Sequence, residues 1–146
     1  MTAASDGAID GEMQRLGYAI LAHAMPGSPH VDVMVEHPVL VRDPGARDVD
    51  ARVLWTVRVG VRPEGWAGRS LVGVEAPLHR RVYLRRTGLT ASGRGSVRAL
   101  DRGQVRVRLW CGDRVELDFV DGRFPGSLSL RGLGGGRWRF WFVRAG

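Results

Sequence analysis

Residues 105–119 read Val105-Arg-Val-Arg-Leu-Trp-Cys-Gly-Asp-Arg-Val-Glu-Leu-Asp-Phe119. Apolar and charged residues alternate on both sides of Gly112-Asp113. Alternation with a period of two, rich in Val and aromatic residues, marks half-buried strands. Two such runs around a Gly-containing turn make a hairpin. Matching Val105, Val107 and Leu109 with Val115, Leu117 and Phe119 keeps one face apolar. A three-residue loop is then favoured, because a one-residue slip would mix the faces.

The pattern extends in both directions. Downstream, Asp121-Gly122 is a two-residue hairpin signal that sets Phe119 opposite Phe124 and Val115 opposite Leu128. Gly132 to Gly136 reads as a hairpin loop, and in the last strand, residues 137–144, Trp138, Phe140 and Phe142 share a face. Upstream, Asp101-Arg102-Gly103 reads as a turn that places Val97 opposite Val107 and Ala99 opposite Val105. Val53, Trp55, Val57, Val59 and Val61 fall on one parity, and so do Val31, Val33, Val35, Val39 and Val41. Shorter strands are predicted over 70–75 and 80–86.

The N-terminal region reads differently. Residues 1–8 form a flexible tail in this reading. Ile9, Met13, Leu16, Ile20 and Ala24 recur at spacings of three and four, which predicts a helix over 9–25 ended by Pro26-Gly27. The expected fold is therefore mainly β. It is a single β-rich domain over 9–146, an antiparallel sandwich or barrel of about eight to ten strands between residues 30 and 144. One N-terminal helix docks on it through Leu16 and Ile20. Val57, Leu117, Phe119 and Phe140 are expected deep in the core.

Composition closes several chemistries. Of the 146 residues, 22 are Arg and none is Lys, and with 15 acidic residues the formal charge is +7. A phosphate-binding loop of the Gly-Lys type and side-chain Schiff-base chemistry both need the missing amine. GC-rich codon usage accounts for an all-Arg chain without a functional reason. Cys111 is the single cysteine, so an intrachain disulfide and an all-Cys zinc site are excluded. No basic start followed by an apolar stretch precedes the domain, so a soluble cytoplasmic protein with no membrane partner is expected.

The expected register puts Arg98, Arg106, Arg108, Trp110, Arg137, Arg139 and Trp141 on the outward face. Guanidinium groups interleaved with indoles suit nucleic acid or another anionic partner. Glu116 and Asp118 share that face, and cross-strand ion pairs explain it equally. Arg81 and Arg85, ahead of Thr90-Ala-Ser92-Gly-Arg-Gly95, resemble the two motifs of PilZ domains, but Thr90 replaces the acidic or amide residue and only four residues separate the motifs. A basic strand end and a flexible loop describe them. His30, Asp32 and Glu36 share a parity, yet no matching ligand set stands elsewhere, and His23 falls on the expected helix. Ser70 and Ser96 lack a nucleophile elbow, and Cys111 has no placeable His partner. No cofactor, no metal and no catalytic residue are expected.

The leading expectation is a non-catalytic binding or assembly module for another protein or its own copies. A nucleic-acid-binding protein using the Arg/Trp face comes next, then a small-ligand-binding β-barrel or enzyme.

Overall fold

A computed structural model describes residues 14–24, 29–85, 88–89 and 96–146. The expected tail over 1–8 and the start of the expected helix lie outside the described residues, as does the Thr90 to Gly95 segment. The strands are β1 Arg15–Ala24, β2 His30–Glu36, β3 Arg52–Val59, β4 Ser70–Arg80, β5 Gly88–Leu89, β6 Ser96–Cys111, β7 Arg114–Phe119, β8 Gly126–Gly134 and β9 Arg137–Arg144. All their pairings are antiparallel.

Two four-stranded meanders, β1–β4 and β6–β9, join at two seams. β4 pairs with β9 through Ser70 to Val74, and β1 pairs with β6 along its whole length. The result is a closed eight-stranded antiparallel barrel, with the short β5 attached to β6 at Ser96 and Val97. Closure removes the free edges an open sheet would expose.

The expected N-terminal helix is a strand. Among the described residues, helical structure is limited to short 3-10 turns. Leu16, Tyr18 and Ile20 point into the barrel. Ala19 and Leu21 point outward into a second apolar cluster with Met34, Ala46 and Leu54, roofed by Leu40, Tyr83 and Leu84. A strand buried on both faces loses its period-two signature, and its apolar run then imitates helical spacing.

This strand also straightens β6. The expected turn at Asp101-Arg102-Gly103 does not form. The chain runs through it, because Val97 pairs with His23 and Val105 with Leu16 rather than with each other's half. The expected strand over 80–86 is a correction too. β4 runs on to Arg80, and Arg81–Leu84 is a 3-10 turn. β2 ends at Glu36 before Pro38, and Val39 is exposed.

The β6–β7 hairpin turns in two residues, with Cys111 opposite Arg114. A bulge at Arg108 absorbs the slip, so Val105 and Val107 still face Phe119 and Leu117, but Trp110 faces Val115. The β7–β8 connection is longer than the Asp121-Gly122 signal suggests. Phe119 pairs with Gly126 and Leu117 with Leu128, two residues from the expected register, so the faces are preserved. Val57, Leu117, Phe119 and Phe140 are at most 2% exposed, as expected.

The loop over 120–125 is drawn onto β6 at the barrel floor. Tyr18 donates to Asp101 Oδ2 at 2.6 Å, and the Arg123 amide donates to Asp101 Oδ1 at 3.0 Å. The Gln104 amide donates to Asp121 Oδ1 at 2.8 Å. Burial, then the bond to Asp101, pushes the Tyr18 hydroxyl well above its ordinary range. Trp66, fully buried, seals the same end against Phe140 and Phe142.

A Cβ on Gly122 would collide with Tyr18 Oη and the Asp101 carboxylate, whereas one on Gly112 meets nothing within 4 Å. Gly122→Ala should therefore destabilise the protein by about 1–3 kcal/mol. Gly112→Ala should be near neutral in the same thermal melts. Equal melting temperatures for the two variants would contradict this floor.

Candidate binding site at the barrel mouth

The end opposite the floor is open. A cavity of about 620 Å³ there is lined by Trp55, Trp110 and Trp138, with Val115, Leu78 and Leu40 between and above them. The three indoles arrive from β3, β6 and β9. Trp55 stands at the centre, edge-on to Trp110 at 5.1 Å and to Trp138 at 5.3 Å. All three are at most 8% exposed. Opposite Trp138 on β8 is Gly132, which brings no side chain to that position.

Few polar groups reach this mouth. Glu75 accepts from Trp138 Nε1 at 3.0 Å. His37 packs edge-on to Trp110 at 5.3 Å. Its Nδ1 accepts from the Val39 amide at 3.1 Å, so the neutral ring carries its hydrogen on Nε2 and can donate there. Cys111 Sγ lies 3.8 Å from Asp113 Oδ1 at the rim. Burial holds the His37 imidazole below its usual pKa, and the Glu75 charge partly opposes that. The arrangement is an apolar aromatic cup with a carboxylate and an imidazole donor, the usual composition of a small-molecule pocket.

The sequence-derived set lies elsewhere and is divided. Trp110 is inside the barrel, turned inward by the bulge at Arg108, and is withdrawn from the outward face. Arg106, Arg108, Arg137, Arg139 and Trp141 do face outward. Arg98 is exposed at the far end of β6, opposite Ala22. Arg108 is held by Asp118 at 2.9 Å and Glu116 at 3.4 Å. These two carboxylates on β7 stand between the arginines of β6 and those of β9.

Two residues missed from sequence complete a different alignment. Arg114, Arg131 and Arg139 are direct cross-strand neighbours on β7, β8 and β9. They line a shallow depression of about 270 Å³ with Trp141. Only the correct β7–β8 register reveals this row, because the expected one set Arg114 opposite Ser129. Arg81, from the PilZ-like motif, is ion-paired to Glu36, which also accepts from the Gly17 amide at 2.6 Å.

No protein-family description matches the chain, and a search of curated proteins returns no significant relative. No described helix is long and apolar enough to cross a membrane.

Protonation of His37 should quench Trp110. Intrinsic fluorescence should fall on acidification with a midpoint below 6.5, the ordinary value for the group. The folded ring binds its proton less tightly than the unfolded one. Its contribution to stability is thus full above pH 6.5 and lost as the pH falls through the lowered folded value. His37→Gln should flatten both profiles. An unchanged fluorescence titration in that variant would contradict the contact.

Proposed function

We propose that this protein is a non-catalytic binding module whose occupant is not another protein or a second copy, the leading expectation from its sequence, but a small, mainly apolar molecule seated in the barrel mouth. The observation carrying this reading is the tryptophan-lined cavity over a packed core. Its volume lies within the range of ligand pockets, and eight-stranded barrels are just wide enough to hold one small ligand. The Glu75 carboxylate at the rim also suits a ligand that carries a positive charge.

A neutral apolar dye such as N-phenyl-1-naphthylamine tests it. One dye should bind per chain and draw excitation energy from the tryptophans. Leu78→Trp, which fills the cavity from its rim, should abolish the signal, and Trp55→Ala should weaken binding about tenfold or more. Trp141→Ala, on the outer wall, should leave it unchanged. Dye binding that survives Leu78→Trp would reject the site.

A second reading has its own observation, the row Arg114, Arg131 and Arg139 beside the 41%-exposed Trp141. Like charges directly opposite one another destabilise a sheet, and an anion would relieve that. Arg114 is partly compensated by Glu116 at 2.8 Å. Three phosphate contacts with single-stranded nucleic acid would give a slope of roughly −2 in log K against log salt. Oligonucleotide titrations at two salt concentrations read it. A flat response, or binding untouched by Arg131→Ser with Arg139→Ser, would remove this reading.

A further inference from the structure

On the outer wall, toward the C-terminal end of β1, the strand pairing assembles a group that the primary sequence scatters. His23 on β1 pairs directly with His30 on β2, and Asp32 lies on the same face two residues later. The two imidazoles stand edge-on with centroids 4.9 Å apart. One ligand atom from each of His23, His30 and Asp32 lies within 4.8 Å of the others. Asp32 is 4% exposed. His23 Nε2 is buried and makes no hydrogen bond among the described residues. A buried ring nitrogen without a partner is an unusual cost in a native fold, and a metal ion bound through it would remove that cost.

We infer that His23, His30 and Asp32 form a binding site for a divalent first-row transition ion of the zinc type. Two imidazoles and one carboxylate are a borderline N₂O donor set that suits zinc and its neighbours and not calcium or magnesium. Bonds of about 2.0–2.2 Å put the ligand atoms of a tetrahedral ion roughly 3.4 Å apart. Asp32 Oδ2 is already 3.7 Å from His30 Nε2. A rotation of the His23 ring closes the remaining gap.

Arg58 is the competing cation. Its Nε is 2.9 Å from Asp32 Oδ1, while its second nitrogen is only loosely placed, 3.4 Å from Oδ2. A carboxylate has lone pairs for both partners. Arg58 can hold Oδ1 and orient the group while Oδ2 meets the ion, as outer-sphere partners of metal ligands do. Its charge lowers the affinity without blocking the site. Three protein ligands leave a fourth position, and a cavity of about 100 Å³ adjoins it, lined by His23, Asp32, Arg58, His79 and Tyr83. That volume admits water or a small anion. His79 Nδ1 is 2.9 Å from the Pro77 carbonyl, which can only accept, so Nδ1 carries the hydrogen and Nε2 is left as the acceptor of a third imidazole on this wall.

The test is zinc alone, titrated calorimetrically into the untagged full chain. One Zn²⁺ should bind per chain and raise the melting temperature. His23→Gln and His30→Gln should each weaken binding about tenfold or more, while His37→Gln at the barrel mouth should not. Each variant's metal-free melt shows whether it is folded. Because either could fail to fold, the wild-type chain supplies a second readout: the imidazole ¹⁵N signals of His23 and His30 should shift together on zinc addition, and that of His37 should not. Zinc binding equal in all variants, no wild-type binding below millimolar concentrations, or histidine signals that ignore zinc would each overturn the assignment.

Discussion

The ten-residue ladder between β1 and β6 is the constraint on which the remaining structure depends. β4–β9 alone would leave the two meanders as one open, curled sheet with β1 and β6 as bare edges. Joining Arg15–Ala24 to Ser96 through Arg106 closes the ring, and with it the interior. That seam places Leu16, Tyr18 and Ile20 among the core residues, and it sets Tyr18 against Asp101. It keeps β6 extended through Asp101-Arg102-Gly103, so that these turn-like residues instead receive the 120–125 loop. Gly103 stays free of a side chain where a Cβ would meet Asp121.

Closure makes the two barrel ends unequal. The floor is packed by Trp66, Phe140, Phe142, Phe119 and Tyr18, and polar bonds tie its loop down. At the other end the large side chains are Trp55, Trp110 and Trp138, which ring a cavity instead of filling it. β4 contributes to this asymmetry. It pairs with β9 only as far as Val74 and then continues along β3 to Arg80, so Glu75 and Leu78 stand at the rim. Large flat rings at a rim, with small or absent side chains such as Gly132 opposite them, give a cup its walls.

Much of the wall pattern was legible in the residues. Alternation placed Leu117, Phe119, Phe140 and Trp138 inside, because β7 and β9 each have one polar face. It placed Val57 inside because Arg52, Thr56 and Arg58 interrupt the apolar run on the other face of β3, although Leu54 and Thr56 are buried there. β1 was hidden for the opposite reason: Ala19 and Leu21 are covered from outside by Leu84 and its neighbours, so neither face is polar. Trp110 was hidden by a bulge. A single extra residue at Arg108 reverses the parity of the residues after it, and no local signal distinguishes it from regular alternation. Regular alternation therefore assigns the mouth tryptophans to different faces. His23 and His30 could be associated only once β1 was a strand, since a helix would have carried His23 away from β2. Register errors of two residues, as at Leu117 and Leu128, left the faces intact but concealed the row of Arg114, Arg131 and Arg139.

Backbone amide hydrogen exchange, resolved by residue, tests the closing seam most directly. The amides of Tyr18 through Ala22 should exchange as slowly as those of Leu128 and Leu130 in the middle of β8, because both sets lie in ladders paired on two sides. Exchange of the β1 amides at the rate of the exposed 112–113 turn, with β8 still protected, would mean that β1 is not part of the barrel, and the account built on its closure would fail.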